Sequence, residues 1–248
     1  MDIIEYTALK YYNSCVSEEC LYLGMLFNNL TKNTRVFKSI RNFKRLESFD
    51  DEINIEFFKD YLCSIKAEIE DNIFNYDKAF NLKEYIKPYV NELRFSSIKT
   101  EKTDDPDFIE NMVKLFLKFD YDKKQRLSKE TEKKYIKKVL KSSHIDFSEE
   151  PIIGKYNENI RLDLVTDNYG IKLFKFEGKD LTRLVTNAKA WAYNAREMKD
   201  AKKIVFLYDV DFENSEKFDT IIKILKEDAF KVMPYETGID YITNITSD

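Results

Sequence analysis

The sequence predicts an α/β fold in two domains: a C-terminal mixed sheet flanked by helices, preceded by a smaller α+β domain. From residue 128 onward, apolar residues recur alternately at helical and at strand spacing. Residues 203–208 form a short apolar run, which is typical of a strand buried on both faces. Residues 6–40 contain further runs rich in strand-forming residues. With 248 residues, 43% of them hydrophobic, the chain can fill the cores of both domains.

The C-terminal half has the predicted order helix, strand, strand, strand, helix, strand. Ser128 is a good N-cap for the first helix, and Asp180 is one for the second. Between these helices, strand structure is predicted in residues 145–156, and a β-hairpin in residues 159–178 with Gly170 in its turn. A strand, a crossover helix and a further strand in one sheet make a right-handed parallel unit. The C-terminal core is therefore expected to be mixed α/β.

The N-terminal half shows strand patterns before helical ones. Strands are predicted within residues 6–12, 20–27 and 34–40. Asn54 is expected to cap one helix. The dipeptide Asp105-Pro106 is expected to open another, because proline is favoured at the first helical position. This order fits a small α+β domain.

The boundary between the two halves is predicted in the charged interval at residues 120–126, which gives domains at 1–122 and 123–248. Across the chain, 41 Lys+Arg stand against 45 Asp+Glu, for a net charge of −4. This balance of charges does not indicate a domain that binds nucleic acid through its overall positive charge. The basic stripe at residues 133–138 is typical of a solvated helix face.

Several classes of site and of location are disfavoured by what the sequence lacks. No apolar run reaches the length of a membrane span and the first residues lack the basic start of a signal peptide, so we expect a cytoplasmic protein without membrane association. Three cysteines and the single histidine, His144, do not form a zinc pattern, which takes about four ligands. The glycine-rich phosphate loops and the serine-nucleophile motif are also missing.

The predicted hairpin carries the ionisable residues with the clearest chemical meaning. Asp163 lies on its first strand, and Lys175 and Glu177 share one face of its second strand at a spacing of two residues. Two carboxylates and a lysine at one sheet edge suit a Mg²⁺-dependent phosphodiesterase, because acidic oxygens hold the metal and a cation orients water or phosphate. The alternative is that these are solvent-facing residues of a half-exposed hairpin.

The order of elements and the hairpin residues resemble the PD-(D/E)xK nuclease-like superfamily, with its restriction-endonuclease-like core. The resemblance matches Asp163 to the metal-binding aspartate. It implies a further acid on the first core helix, Glu130 or Glu132, and a polar residue on the later helix, Asn187 or Lys189. The third strand departs from the pattern, because Lys175-Phe176-Glu177 places the lysine before the acid.

This exchange leaves two hypotheses open. In the first, Asp163 and Glu177 hold Mg²⁺ or Mn²⁺, Lys175 orients the water, and the protein cleaves a nucleic-acid phosphodiester with help from Glu130 or Glu132. In the second, the lysine pairs with Asp163 in place of the ion. The domain would then be a catalytically inactive interaction module, binding a protein or nucleic-acid partner in a phage-defence, toxin or mobile-element system.

The N-terminal half, over residues 1 to 120, resembles a family of uncharacterised bacterial proteins. The matching residues are Glu19 and the run Leu23-Gly24-Met25-Leu26-Phe27, whereas Tyr22 stands where an asparagine is usual. No activity comes with this resemblance. A glycine inside a strand indicates either a bulge or a close approach of another chain segment, and we expect Gly24 to serve one of these.

Overall fold

The computed structural model describes residues 1–14, 19–71, 80–176, 179–209, 215–235, 237–238 and 241–242. The chain divides into an N-terminal unit, Met1–Ser143, and a C-terminal unit, His144–Asp248. The division falls later than the predicted boundary at 122/123. The helix that Ser128 caps therefore belongs to the N-terminal unit, whereas the sequence assigned it to the C-terminal domain.

The N-terminal unit contains a five-stranded antiparallel sheet. Its strands are β1 (Asp2–Tyr11), β2 (Leu21–Asn29), β3 (Thr34–Ser39), β4 (Leu93–Phe95) and β5 (Lys99–Thr103). The order is β3-β2-β1-β4, and β5 pairs with the beginning of β1. The first three strands confirm the three runs that the sequence predicted.

The helices of this unit are α1 (Lys44–Phe49), α2 (Ile55–Asp71), α3 (Leu82–Ile86), α4 (Phe108–Phe116) and α5 (Lys129–Ser142). Two predicted caps are confirmed: the Asn54 side chain accepts from Phe57 N at 3.1 Å, and the Ser128 side chain from Thr131 N at 3.2 Å. The helix expected at Asp105-Pro106 begins slightly later, at Phe108.

Gly24 serves both structural roles that its place in a strand indicated. Leu9 pairs with Gly24 and Lys10 pairs with Tyr22, so Leu23 is an extra residue in β2, which is a β-bulge. A Cβ atom on Gly24 would also lie 2.6 Å from the Phe37 ring. The glycine therefore lets β3 approach the bulged strand closely.

The C-terminal unit combines a small hairpin with a four-stranded mixed sheet. Its elements are β6 (Ile152–Ile153), β7 (Asn159–Ile160), β8 (Leu164–Val165), β9 (Tyr169–Phe174), α6 (Leu181–Met198), β10 (Lys203–Tyr208), α7 (Ser215–Lys226) and β11 (Lys231–Pro234). The sheet order is β11-β10-β9-β8, with β8 antiparallel to β9 and the other pairs parallel. The predicted strand at 203–208 and the parallel β9-α6-β10 unit are confirmed.

Two details of the predicted hairpin are wrong. The turn uses Thr166 and Tyr169, whose backbones are joined by a 2.9 Å hydrogen bond, and Gly170 lies inside β9. A Cβ atom on Gly170 would meet Leu162 and Ile204, so the glycine is needed for packing rather than for turning. Of the strand region predicted at 145–156, only Ile152–Ile153 forms a named strand.

Aromatic side chains join the helices to one face of the C-terminal sheet. Phe174 contacts Trp191 of α6, with 6.4 Å between ring centroids, and Phe176 contacts Phe218 of α7 at 5.4 Å. Alternate residues of a strand share a face, so Lys172 lies on this helix-facing side as well. Among the described residues, no helix has the length and apolarity needed to cross a bilayer.

Candidate functional site

Asp163 is held against β9 by its backbone and its side chain. Its N–H donates to Ile171 O at 2.9 Å, and its Oδ2 accepts from Leu173 N at 2.9 Å. The residue is buried, with 8% of its surface exposed. These two hydrogen bonds to β9 fix the position of the Asp163 carboxylate.

Lys172 is the cation that reaches this carboxylate. Its Nζ lies 3.2 Å from Asp163 Oδ2 and donates to Arg161 O at 3.2 Å. The same ammonium lies 4.6 Å from the centroid of the Trp191 ring, in cation–π geometry. A carboxylate, a carbonyl and an aromatic face thus surround a side chain that is 20% exposed.

The register of the hairpin explains this pairing. Leu164 is paired with Ile171, and Asp163, which lies just before β8 rather than in a strand, donates its N–H to Ile171 O and accepts from Leu173 N. Both partners are the direct neighbours of Lys172 in β9, so the carboxylate is placed beside that lysine. Lys172 was not among the predicted site residues because the turn was predicted at Gly170. The signal was the polar segment 166–168, which is a suitable turn and would have given the observed register.

Lys175 is not brought to Asp163. It is exposed and follows Lys172 by three residues, which is about 10 Å along a strand. An odd separation also turns its side chain to the opposite face of the sheet. The remaining predicted metal ligand, Glu177, lies outside the described residues, so the structure describes no geometry for an Asp163–Glu177 metal site.

The two acids predicted on the first helix lie on α5, in the N-terminal unit. Glu130 is exposed. Glu132 forms an ion pair with Lys118, 2.8 Å from Nζ to Oε1, with side chains 13% and 6% exposed. Tyr135 of the same helix donates to Asp105 at 2.6 Å and packs against Phe108. These contacts attach α5 to the N-terminal sheet and helices.

The exposed surface of α6 is basic. The helix has no acidic residue between Leu181 and Arg196. The two polar candidates on α6, Asn187 and Lys189, are both exposed. Exposed cations in and just before the helix are Lys179, Arg183 and Lys189. Arg196 differs from them because Asp228 binds it through two contacts, at 2.9 and 3.0 Å.

The described neighbours of Asp163 do not by themselves form the oxygen-ligand set of a divalent ion. A Mg²⁺ or Mn²⁺ ion is bound by oxygen atoms, commonly one or two carboxylates plus water. Here the neighbour at 3.2 Å is an ammonium group, which repels a second cation. Within the described part of the chain, no group of three histidine, cysteine or acidic residues is placed to hold a metal.

Comparison with known proteins finds no matching family model, no matching curated protein and no matching solved structure. The fold class that the structure shows is mixed α/β, with an antiparallel sheet in one unit and a mixed sheet in the other. What the site can do follows from its geometry and its charges.

Proposed function

We propose that the C-terminal unit is a nucleic-acid-binding module on a nuclease-like fold, in which the Lys172 ammonium replaces a catalytic metal ion. The observation that carries this proposal is the Asp163–Lys172 contact at 3.2 Å. The resemblance to the superfamily matches this aspartate to a metal ligand, and here the neighbouring group is the Lys172 ammonium, which neutralises its charge. Electrostatic stabilisation of Asp163 then needs no ion.

The partner is inferred from the surface of α6. Its exposed cations have no acidic neighbours within the helix, and arginine and lysine side chains in such an array bind phosphate groups. The negative net charge of the whole chain limits this binding to a local patch. We therefore expect modest, sequence-independent affinity that falls with salt, and a role in a defence, toxin or mobile-element system.

The binding test is fluorescence anisotropy with labelled single- and double-stranded DNA and RNA, in EDTA and across a salt series. We expect binding without metal. The double variant Arg183→Ala and Lys189→Ala should weaken binding to every sequence. It should also reduce the slope of the logarithm of the binding constant against the logarithm of the salt concentration by about 2. Arg196→Ala is the matched control on the same helix, because Asp228 already holds that side chain. Equal binding by all three proteins would contradict the proposal.

The metal test separates this proposal from the nuclease hypothesis, in which Asp163 and Glu177 hold Mg²⁺ or Mn²⁺. Trp191 is the only tryptophan in the chain, and it contacts Lys172, so its fluorescence reports on this site. We expect no saturable change on Mn²⁺ titration and no cleavage of the bound nucleic acids. Metal-dependent cleavage that disappears in Asp163→Asn would overturn the proposal in favour of a working nuclease.

A further inference from the structure

Two aromatic rings and a lysine meet at the edge of the C-terminal sheet where the parallel strands begin. Tyr169 and Lys203 are the first residues of β9 and β10, and Phe230 comes just before β11. The Tyr169 and Phe230 rings contact each other edge to face, with 6.1 Å between their centroids. The Lys203 Nζ lies 5.0 Å from the centroid of Phe230 and 5.5 Å from that of Tyr169, which are cation–π distances.

The backbone around these three residues is held by hydrogen bonds. Lys203 N donates to Asn168 O at 2.9 Å, directly beside Tyr169, and Phe230 N donates to Ile204 O at 2.8 Å. Tyr169 and Lys203 are also paired in the register of β9 and β10. The rings are therefore in place before a ligand binds, and preorganised groups lose less conformational entropy on binding.

The cluster is accessible and keeps its positive charge. Phe230 is 48% exposed, and Lys203 is exposed as well. Among the described residues, Lys203 forms no ion pair with an acid. The acid nearest before Phe230 in the chain, Asp228, is bound to Arg196 at 2.9 Å. An ammonium group beside an exposed aromatic face is therefore available to a ligand.

We propose that Phe230, Tyr169 and Lys203 form a stacking platform for a base of single-stranded nucleic acid. Proteins that bind single strands combine aromatic rings, on which bases stack, with cations that contact the phosphate backbone. Phe230 supplies the stacking face, Tyr169 supports its edge, and the Lys203 ammonium contacts the adjacent phosphate. In a duplex the faces of the bases are covered by their neighbours, so the platform selects single strands.

This inference rests on the proposed nucleic-acid binding and adds the class of strand that is bound. The stacking platform shares no residue with the basic surface of α6. It also uses neither member of the Asp163–Lys172 pair. The two contributions to binding can therefore be tested separately in the same protein.

The first test compares two labelled single strands of equal length, one of thymidines and one of abasic sites, by fluorescence anisotropy with the full chain in EDTA. Both strands carry the same phosphates, but only the first has bases. We expect the abasic strand to bind about fivefold more weakly or worse, which is the lower end expected for one stacked base. Equal binding would overturn this inference and leave the proposed function intact. No binding of either strand would overturn both.

Variants locate the stacked base. Phe230→Ala should weaken binding of the thymidine strand about fivefold or more and leave binding of the abasic strand and of a duplex unchanged. Its binding should keep the same salt dependence, because stacking releases no counterions. Phe230→Tyr keeps a ring and should retain the affinity. Lys203→Gln should reduce the slope of the logarithm of the binding constant against the logarithm of the salt concentration by about 0.7, for one phosphate contact on a single strand.

The matched control is Phe57→Ala. Phe57 is 59% exposed on α2, but it follows an acid, Glu56, in the chain, so we expect binding like that of the wild type. Urea unfolding of each variant establishes that the fold is retained. If Phe230→Ala weakened binding of the abasic strand as much as that of the thymidine strand, the inference would be overturned, because a strand without bases cannot stack.

Discussion

Each unit of the protein contains a nearly buried carboxylate–ammonium pair, and the two pairs differ in what surrounds them. Glu132 and Lys118 approach to 2.8 Å in the N-terminal unit, and Asp163 and Lys172 to 3.2 Å in the C-terminal unit. Lys118 is 6% exposed, whereas Lys172 is 20% exposed and also contacts a carbonyl and an indole ring. An acid beside a lysine is thus not a functional site in itself.

Glu132 and Asp163 were both predicted as site residues, and the difference between their surroundings favours Asp163 as the candidate. Glu132 lies on a helix that packs among other helices, where the pair closes a contact. Asp163 lies at the edge of a sheet, near a basic helix surface. Because its cation is more accessible and the nearby helix surface is basic, we assign the proposed binding role to the region of the Asp163–Lys172 pair and a structural role to Glu132–Lys118.

The largest expected effect tests this comparison directly. Lys118→Met should lower the free energy of unfolding by about 3–5 kcal/mol, because it leaves Glu132 buried without its counter-charge. Lys172→Met should cost less, about 2 kcal/mol, since Asp163 keeps the Leu173 N–H and the ammonium that is lost was 20% exposed, against 6% for that of Lys118. Urea denaturation measures both.

The control for these two variants is Lys32→Met, which breaks an exposed pair with Asp2 and should cost less than about 1 kcal/mol. A larger loss for Lys172→Met than for Lys118→Met would reverse the comparison. It would mean that Asp163 depends more strongly on its counter-charge than Glu132 does, although the two carboxylates are similarly exposed, at 11% and 13%.

Two strand glycines provide the next comparison. Gly24→Ala places a methyl group 2.6 Å from the Phe37 ring and 3.1 Å from Lys38 O, so we expect a loss of about 2–3 kcal/mol. Gly170→Ala meets the terminal methyl groups of Leu162 and Ile204, which can turn aside, and should cost about 1 kcal/mol. Thermal or urea unfolding ranks the two. Equal losses would show that the Leu162 and Ile204 side chains are held as firmly as the Phe37 ring.

Local features of the fold were predicted correctly from the sequence, whereas a feature that depends on tertiary packing was not. The caps at Asn54, Ser128 and Asp180 and the strand at 203–208 were predicted correctly because each depends on a short stretch of chain. The turn of the hairpin was assigned to Gly170 because glycine favours turns. The packing of Leu162 and Ile204, which requires the glycine inside the strand, is a tertiary property.

The candidate site depended on this error. A turn at 166–168 brings Asp163 beside Lys172, whereas a later turn moves the expected partner toward Lys175. A shift of register changes which side chains meet, because strand residues alternate between faces. The difference between the predicted domain boundary and the observed division has a similar origin, since the contacts of α5 with Phe108 and Asp105 join segments distant in sequence.

A smaller effect is expected from the polar contact that anchors α5. The Tyr135 hydroxyl donates to Asp105 at 2.6 Å and holds the pKa of that carboxyl below its usual value of 3.8. A carboxyl with a lowered folded-state pKa adds stability above its unfolded pKa, and the contribution is lost as the pH falls through the folded value. Tyr135→Phe should therefore cost about 1–2 kcal/mol at pH 7.

The pH dependence makes this prediction specific. The stability difference between the wild type and Tyr135→Phe should shrink as the pH falls below 3.8, because protonated Asp105 no longer benefits from the hydroxyl donor. Urea titrations over a pH series measure it. Asp107→Asn is the control, since that exposed side chain makes no capping hydrogen bond. A pH-independent difference would assign the effect of Tyr135 to packing alone.

The smallest effect compares the caps of α5 and α6, one in each unit. Ser128→Ala and Asp180→Ala each remove a side-chain acceptor from a helix N-terminus, at a cost of about 1 kcal/mol. At low salt, Asp180→Ala should cost a few tenths of a kcal/mol more than Ser128→Ala, because the negative charge of Asp180 also interacts with the helix dipole. Asp180→Asn keeps the acceptor without the charge, so it should recover most of the stability and lose the salt dependence. If Asp180→Asn were as unstable as Asp180→Ala, the charge rather than the hydrogen bond would stabilise the start of α6.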